Sequence, residues 1–537
     1  MTVSRESVLF AVRNVARHGD TDVYPYPLEN HWFYDAEEAV TDLLLQLDNG
    51  FDAWLRSYPP IYTTGLSSIG YNGFRTATQI DPIWNAYLLA LLIEIGPDIE
   101  AARVPVERNV VFSYRFKPSP EKLTLFDKEV GWYLFQKKAL ERASSAEFVV
   151  STDISDFYSR VYHHRLENAL KQATKNGEAV KRVMEISKRL SIGETSYGLP
   201  VGGQASRILA ELLLNRTDRL LLAAGISFCR FVDDYYLFAS NPGDAQAALV
   251  QLSEILLTNE GLTLARAKTR VLSSSEFLRF SPVTEVESST TSDDAMAQEF
   301  LRFRLAFDPY SPTADADYVL LRDQLETFDI TGMLARELRK SRIDESFTRH
   351  LIKAMRYLKP ELQDAAVRSV IQNLDLLYPI FPSVAILLRQ ILPDMSDMAR
   401  NEVFTVIRAL INSRSHILLV PANLSFAIRI LAYDRAEETD ALLMDVYERP
   451  KTNMMIKRDV LLAMTRRGVD YWLSAQLKQF AVVTPWERRA LIVASYILSD
   501  EGHHWRRRVR NELQDTDALF MQWVGEKNNG QTWELPL

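Results

Sequence analysis

The sequence contains one cysteine, Cys229, in 537 residues, so no disulfide can form within the chain. That usage is typical of a reducing compartment. Long apolar runs are also missing: the longest, 86–93, ends at Glu94 and is far shorter than the ~20 residues that a membrane-spanning helix requires. Residues 1–20 carry charges throughout, without the apolar core of a signal peptide. We therefore expect a cytoplasmic protein with no membrane partner.

Excess positive charge is absent as well. The chain has 62 Lys and Arg residues against 70 Asp and Glu residues, which gives a net charge of -8. Its surface as a whole therefore cannot act as an electrostatic clamp for duplex nucleic acid. The hydrophobic content of 47% is that of an ordinary globular protein. The length is sufficient for about two to four domains.

The most informative stretch of the sequence is 229–239, where aromatic and β-branched residues flank Asp233 and Asp234. This pattern predicts two short strands joined by a tight turn. Two adjacent carboxylates repel each other, and the pair is costly unless a cation neutralises it. The alternative is an acidic hairpin turn without a ligand, because Asp is common in turns.

A third carboxylate, Asp153, ends the predicted strand Phe148–Ile154. The elements around it follow a definite order along the chain: strand Phe148–Ile154, helix His163–Lys175, glycine loop Ser196–Ser206, a helix from Ala205, the Asp233/Asp234 hairpin, a helix ending at Gly261, and strand Leu262–Leu264 before Lys268. A strand is also predicted upstream, at Asn109–Lys117. This order is the β-α-β-β-α-β arrangement of the ferredoxin-like split unit.

Three carboxylates at neighbouring strand ends favour a site for two metal ions ~3.5–4 Å apart, which would clamp the oxygens of a phosphoryl transfer. Mg²⁺ suits this role because it takes oxygen ligands and binds substrate phosphates. Mn²⁺ is the alternative ion. The sequence thus predicts phosphoryl-transfer chemistry at these strand ends.

The second half of the chain changes in character after the polar stretch Glu285–Asp294, which predicts a linker. Beyond it, helical segments of roughly 12–18 residues predominate. Pairs of segments recur at a spacing of ~40 residues, as HEAT-type helix pairs do. Residues 295–537 are therefore predicted to form an α-helical, HEAT-like domain.

Four motifs resemble reverse-transcriptase motifs A to D in order: Asp153–Tyr158, Gly198–Ser206, Phe231–Asp234, and Gly261–Leu264 with Lys268–Thr269. Together with the helical second half, they resemble the abortive-infection (Abi, AbiK/AbiA-like) bacterial reverse transcriptases of the phage-defence group. The resemblance implies a metal-binding triad: Asp153, Asp233 and Asp234. It also implies that the Ile154 carbonyl adds a metal ligand.

Tyr158 matches the steric gate that selects dNTP, or is a packed aromatic ring. Lys268 matches the motif D proton donor, or is a surface lysine.

Other predicted nucleotide-binding residues are less well matched. Arg115 and Lys117, on the predicted strand, either hold the triphosphate or form a solvated strand edge. The family's Leu-Pro-Gln-Gly has Val201 in place of the glutamine, followed by Gly202, and Gln204 is a candidate to replace it.

The resemblance also implies DNA synthesis without a template, primed by a protein hydroxyl. Tyr24 and Tyr26 are candidate priming residues because they lie in a proline-interrupted loop. Alternatively, both rings pack against the prolines. Hydroxyls of the Glu285–Asp294 linker and tyrosines of the helical domain are rivals.

These inferences combine into one architecture. We expect an α+β fold with reverse-transcriptase-like palm and fingers, divided as 1–103 (helical and fingers extension), 104–284 (fingers and palm), 285–294 (linker) and 295–537 (helices in place of a thumb). We expect a DNA polymerase that adds dNTPs to a hydroxyl and forms single-stranded DNA as its product. We also expect the protein to be a homo-oligomer and to act in phage defence. The alternatives are a template-copying reverse transcriptase and a non-catalytic helical scaffold.

Overall fold

The computed structural model describes residues 2–19, 23–191, 193, 195–279, 297, 299–301, 325, 328–450, 452–529 and 533–537. The chain divides into two compact units. Unit 1 comprises 1–22, 29–62 and 78–289, and unit 2 comprises 23–28, 63–77 and 290–537. The predicted segment 1–103 is therefore shared between both units. The predicted linker 285–294 lies outside the described residues.

Unit 1 combines helices with short strands. Its helices are α1 Arg5–His18, α2 Glu29–Asp35, α3 Glu37–Asn49, α4 Phe51–Ser57, α5 Pro82–Ala102, α6 Trp132–Ala143, α7 Phe157–Arg160, α8 His163–Ala173, α9 Gly177–Arg189, α10 Gln204–Ala223, α11 Pro242–Glu260 and α12 Ser274–Arg279. The strands within the described ranges are β1 Tyr62–Ile69, β2 Gly73–Ile80, β3 Phe116–Ser119, β4 Thr124–Phe126, β5 Phe148–Asp153, β6 Ser227–Phe231, β7 Asp234–Ala239 and β8 Arg270–Ser273. The β1–β2 hairpin belongs to unit 2 between Thr63 and Ala77.

A four-stranded antiparallel sheet organises unit 1, in the order β6-β7-β5-β8. Strand β5 lies between β7 and β8, and the helices α7 to α10 separate it from β6 along the chain. The connectivity is the split β-α-β-β-α-β order. Both strands that carry predicted catalytic carboxylates, β5 and β7, are hydrogen-bonded neighbours at the centre of this sheet.

Helices cover both faces of the sheet. On one face, α6 and α12 bury a cluster of aromatic and small residues: Phe112, Phe135, Ala139, Ala143, Val149, Cys229, Phe238 and Phe277. On the other face, α10 and α11 pack against the strands. Because apolar side chains fill both sides, the strands are anchored along their length and their ends are held in a fixed register.

Local sequence explains where several elements begin and end. The side chain of Ser4 caps the N-terminus of α1, and that of Asn241 caps the N-terminus of α11. Pro242 is the first residue of α11, a position that proline favours. Gly261 ends α11 with a left-handed φ of 70°, a conformation that glycine adopts without strain. The predicted C-terminal cap of this helix is confirmed.

The prediction of a strand at 109–117 is wrong in its extent. Only β3 is regular, from Phe116, and the preceding segment forms a single parallel bridge between Val111 and Arg230. A strand at 262–264 was also predicted, but Leu264 forms only an isolated bridge with Ile154, and β8 begins after Lys268. In both places the β-rich composition identifies segments that lie along the sheet without joining it as full strands.

Unit 2 is helical apart from the β1–β2 hairpin, within the part of the chain that the structure describes. Its helices are α13 Ile330–Glu337, α14 Glu345–Ala354, α15 Pro360–Gln372, α16 Phe381–Ile391, α17 Asp397–Asn412, α18 Pro421–Leu431, α19 Glu437–Glu448, α20 Met454–Arg467, α21 Asp470–Leu477, α22 Pro485–Ala494, α23 Ser499–Val509 and α24 Asp515–Lys527.

These helices pack on their next-but-one neighbours in two rows. One row runs α14, α16, α18, α20, α22, α24, and the other runs α13, α15, α17, α19. Such alternation is typical of stacked helix pairs, in which each pair buries its apolar side against the next. The HEAT-like assignment itself stays a prediction. None of the helices in the described ranges combines the length and apolar character that a membrane-spanning segment requires.

Candidate active site

The sheet brings the predicted catalytic carboxylates together. Asp153, the last residue of β5, is the direct cross-strand partner of Asp234, the first residue of β7. The amide of Ile154 donates to the carbonyl of Asp233 over 3.1 Å. Since side chains of cross-strand partners lie on the same face of a sheet, the two strand ends present their carboxylates to one another. The triad predicted from the sequence is therefore one cluster in space.

The turn that carries Asp233 has an unusual backbone. Only Val232 and Asp233 separate the paired residues Phe231 and Asp234, and Val232 has a φ of 55°. Two-residue hairpin loops usually place glycine or asparagine at such a position. A β-branched residue there costs on the order of 1–3 kcal/mol, which surrounding contacts must offset. The turn is therefore held in place by its surroundings.

The electrostatics of the cluster are strongly perturbed. Burial, followed by repulsion from Asp153 and Asp234, raises the pKa of Asp233 to about 7. Burial and the charge of Asp153 raise the pKa of Asp234 to about 6, although Lys268 opposes the shift. Both carboxyl groups thus retain protons at a pH where isolated aspartates are ionised. The cluster carries more negative potential than its protein neighbours neutralise.

Lys268 is the positive group that approaches this cluster. Its ammonium donates to Oδ2 of Asp153, and this hydrogen bond raises the pKa of Lys268. The Lys268 side chain is 69% exposed. The loop before it is fixed to the triad, since the amide of Ala265 donates to the Asp153 carbonyl over 2.7 Å. This hydrogen bond places Lys268 beside Asp153, and its role in proton transfer stays a prediction.

The donor set fits a divalent cation. Oδ1 of Asp153 is buried and has no hydrogen-bond partner, and burial together with repulsion between the carboxylates raises the pKa values of Asp233 and Asp234. Carboxylate oxygens are the ligands that Mg²⁺ and Mn²⁺ take. Within the described ranges, no three His, Cys, Asp or Glu side chains are grouped to hold a metal ion as they stand. Lys268 occupies one of the Asp153 oxygens that such an ion would need.

The predicted glycine loop packs onto the segment that follows Asp153. The amide of Leu199 donates to the carbonyl of Tyr158 over 2.8 Å, and the amide of Gly198 donates to the carbonyl of Val161 over 2.9 Å. Gly198 and Gly202 have φ values of 98° and 115°, which other residues rarely adopt. The loop is thus held against α7 and the residue that follows it.

Tyr158 lies beside the carboxylate cluster. Burial raises the pKa of its phenol, and the charges of Glu211 and Asp233 and the phenol of Tyr114 add to the shift. The Tyr158 ring also contacts that of Phe157, with centroids 5.4 Å apart. Its predicted role beside the sugar and the alternative of a packed aromatic ring both stay predictions.

Arg207 is a candidate nucleotide-binding residue that was not identified from the sequence. Its Nη1 donates to Oε1 of Gln204 over 3.3 Å, and its guanidinium lies 5.1 Å from the centre of the Tyr114 ring. Gln204 opens α10, and Arg207 follows one turn later. This three-residue spacing on a helix was the signal that could have identified Arg207. The proposed substitution of Gln204 for the family glutamine stays a prediction.

Arg115 occupies a different environment from the one predicted. It is 4% exposed, its guanidinium donates twice to the carbonyl of Val104 over 3.0 Å, and it pairs with Glu100 over 2.5 Å. Because these groups engage it in the interior, we assign Arg115 a structural role in place of triphosphate binding. Lys117 is 67% exposed and pairs with Asp127 over 2.9 Å, so its predicted role stays untested.

The candidate priming tyrosines belong to unit 2. Tyr24 is 5% exposed, and its phenol donates to the carbonyl of Ala77 over 3.2 Å. Tyr26 is 50% exposed, and its carbonyl accepts from Nη1 of Arg429 over 2.8 Å. The buried ring of Tyr24 is poorly placed to serve as a primer, whereas the side chain of Tyr26 is accessible.

Comparison with known proteins identifies the class of the catalytic segment. Residues 105–291 match the family model of reverse transcriptase (RNA-dependent DNA polymerase). The match contains all three carboxylates, the glycine loop and Lys268. The chain therefore contains a reverse transcriptase domain, which implies a nucleotidyltransferase of polymerase type. The matched segment is well short of half the chain, and no curated protein matches the sequence.

Several solved telomerase structures are similar to this chain at low identity. Telomerase from Candida tropicalis with a TWJ fragment of telomeric RNA is 11% identical, with a TM-score of 0.28, over 64% of this chain and 65% of that chain. The apo enzyme from the same organism is 10% identical, with a TM-score of 0.28, over 79% and 73%. Telomerase from Candida albicans is 10% identical, with a TM-score of 0.28, over 84% and 68%. Likeness at this level carries no functional argument.

The raised pKa of Asp233 predicts how stability depends on pH in the metal-free protein. An unfolded Asp releases its proton near 3.8, whereas folded Asp233 keeps its proton until about 7. The folded state therefore binds more protons between these values, and the free energy of unfolding falls as pH rises through the window. Asp233→Asn should weaken this dependence and melt at the same or a higher temperature than the wild type at neutral pH.

Thermal melts with a chelator, at about pH 5 and about pH 8, measure both effects. Asp52→Asn, at an exposed position in α4, is the matched control and should keep the wild-type pH dependence. An Asp233→Asn protein that is less stable than the wild type at both pH values would contradict the assignment of repulsion to this cluster.

Proposed function

We propose that this protein is a DNA polymerase of the reverse-transcriptase type that adds dNTPs to a hydroxyl without copying a template and primes synthesis from its own chain. The observation that carries the proposal is the direct pairing of Asp153 with Asp234, next to Asp233, within the matched reverse transcriptase segment. Its resemblance to the abortive-infection class extends the proposal to phage defence.

In the proposed reaction, a hydroxyl gives up its proton to water, its oxygen attacks the α-phosphorus of a dNTP, the bond to the β-phosphate oxygen breaks, and pyrophosphate leaves. Asp153, Asp233 and Asp234 would hold two Mg²⁺ ions, which would supply charge neutralisation for the attacking and leaving oxygens. Tyr158 would lie against the sugar and select dNTP. Lys268 would deliver a proton to the leaving pyrophosphate.

Two features support synthesis without a template. The net charge of -8 offers no general attraction for a long primer–template duplex. Val201 also stands where the resembling family has a glutamine next to the nucleotide and template. The principal alternative is copying of an RNA template, which the description of the matched family favours. A non-catalytic scaffold is disfavoured, because crowded carboxylates without a ligand are a stability cost.

The first prediction is that the pure protein incorporates labelled dNTPs with Mg²⁺ and no added nucleic acid. Asp233→Asn should abolish incorporation, because a carboxylate that holds the ion is lost. Asp52→Asn should keep wild-type activity. Sequencing the product separates the hypotheses: a biased or random sequence without added nucleic acid supports untemplated synthesis. Synthesis that requires an added RNA and yields its defined complement supports template copying.

The second prediction concerns the choice of sugar. Tyr158→Ala should admit rNTPs while keeping much of the dNTP activity, because it opens space at the 2′ position. Competition between labelled dNTP and rNTP measures the ratio. Tyr162→Ala is the matched control, since that ring stacks on Tyr197 at 4.8 Å. A Tyr158→Ala protein that loses ~3 kcal/mol of stability with an unchanged ratio would identify Tyr158 as a packing residue only.

The third prediction is that product DNA stays covalently attached to the protein. A tyrosine phenol has a pKa of ~10, which is easier to deprotonate near a cation than a serine hydroxyl. Because Tyr26 is accessible and Tyr24 is buried, Tyr26→Phe should remove the label if this loop primes. Tyr34→Phe, at a 74% exposed position, is the control.

Denaturing electrophoresis followed by mass mapping of the labelled peptide reports the attachment site. Label that separates from the protein under denaturation rejects self-priming. Label that maps to another hydroxyl keeps self-priming and rejects Tyr24 and Tyr26.

A further inference from the structure

We propose that Ser113, Glu211 and Arg230 are positioning residues that hold the backbone of Val232 and thereby place Asp233 for metal binding. The inference rests on the proposed metal-dependent function. It adds a role for three buried side chains that do not themselves carry the reaction. We call these three residues, with Asp218 and Arg103, the hairpin clamp.

The hairpin clamp forms hydrogen bonds with both the backbone amide and the backbone carbonyl of Val232. The amide of Val232 donates to Oγ of Ser113 over 2.9 Å, and Nη1 of Arg230 donates to the Val232 carbonyl over 2.9 Å. That carbonyl belongs to the peptide group joining Val232 to Asp233. Because both peptide planes around the left-handed residue are fixed, the direction in which the Asp233 carboxylate leaves the backbone is fixed with them.

The side chains of Ser113 and Arg230 both donate hydrogen bonds to the carboxylate of Glu211. Oγ of Ser113 donates to Oε1 of Glu211 over 2.5 Å, and Nη1 and Nη2 of Arg230 donate to Glu211 over 3.2 and 3.1 Å. Nη2 of Arg103 reaches Oε2 of Glu211 over 2.6 Å. Arg230 also binds Asp218 in a two-pronged contact over 2.8 and 2.6 Å. The hydroxyl and the guanidinium cannot move independently.

The hairpin clamp is buried and balanced in charge. Arg230 is 0% exposed, Glu211 and Asp218 are 1% exposed, and Arg103 is 4% exposed. Two positive and two negative groups face each other. Buried ion pairs rarely add net stability over apolar side chains of the same size, because desolvation offsets their attraction. Their planar, two-pronged hydrogen bonds do fix geometry, which is the role that the turn requires.

The hairpin clamp also connects three parts of unit 1. Glu211 and Asp218 lie on α10, Arg230 on β6, and Ser113 on the irregular segment before β3. That segment is aligned with β6 by backbone bonds, from Arg230 to the carbonyl of Val110 over 2.7 Å and from Phe112 to the carbonyl of Arg230 over 3.0 Å. The helix that follows the glycine loop is thus tied to the turn that bears Asp233.

The test is Ser113→Ala, which removes one hydroxyl that the Val232 amide and Glu211 both contact. Hydrogen exchange of the peptide containing Val232 should become about tenfold faster, while exchange in β5 stays unchanged. Mn²⁺ binding, measured by the loss of free-ion EPR signal without dNTP, should weaken about tenfold or more, as loss of a ligand-orienting contact does. Ser187→Ala, at a buried serine without a hydrogen-bond partner, is the matched control.

A second change tests the strain directly. Val232→Gly in the Ser113→Ala protein should recover part of the Mn²⁺ affinity, because glycine adopts a positive φ without strain. If Ser113→Ala does not fold, Ser113→Cys replaces it, since the somewhat larger thiol still fills the site and is a weaker hydrogen-bonding group.

The possible results separate this inference from the proposed function. Weaker Mn²⁺ binding in Ser113→Ala but not in Ser187→Ala supports positioning, even if the wild type incorporates no dNTP. Equal loss of stability in both variants with unchanged Mn²⁺ affinity overturns positioning, even if the wild type is an active polymerase. A wild type that binds no Mn²⁺ overturns both.

Discussion

Repulsion between buried carboxylates is the constraint on which unit 1 depends. Asp153, Asp233 and Asp234 are brought together by strand pairing and are partly removed from water, and the pKa values of the last two rise to about 7 and about 6. A sheet fragment alone would relieve this repulsion by fraying. Apolar packing on both faces of the sheet keeps the strand ends adjacent. The free energy gained by burying these apolar side chains therefore offsets the repulsion between the carboxylates.

Several departures from local preference occur around this cluster. Val232 adopts a left-handed conformation that glycine usually adopts in such turns. The ion pairs of the hairpin clamp occupy interior space that apolar residues could fill. Departures of this kind are typical of functional sites, where geometry takes precedence over stability. The reverse transcriptase family match falls on the same segment, so two independent observations point to the same residues.

The sequence predicted the parts of this site that depend on local pattern. Strand β5, the hairpin with Asp233 and Asp234, and the α11 cap follow from alternation, turn residues and helix signals within short windows. Burial of Arg115 and the bonds of Ser113 could not be predicted, because they join residues distant in the chain through partners that no local pattern reveals. Glu211 and Asp218, two charged residues seven positions apart among the buried residues of α10, were the local signal of a buried network.

The division into units shows why a simple boundary was insufficient. Val23–Leu28 and Thr63–Ala77 belong with the helical second half, where Arg429 binds the Tyr26 carbonyl and Tyr71 donates to the Leu376 carbonyl over 2.7 Å. Their flanking helices α1, α2 and α5 belong to unit 1. The chain therefore passes between units several times before the predicted linker. A fragment that ends at that linker would keep Val23–Leu28 and Thr63–Ala77 but lose their partners Arg429 and Leu376, so a cut there would divide unit 2.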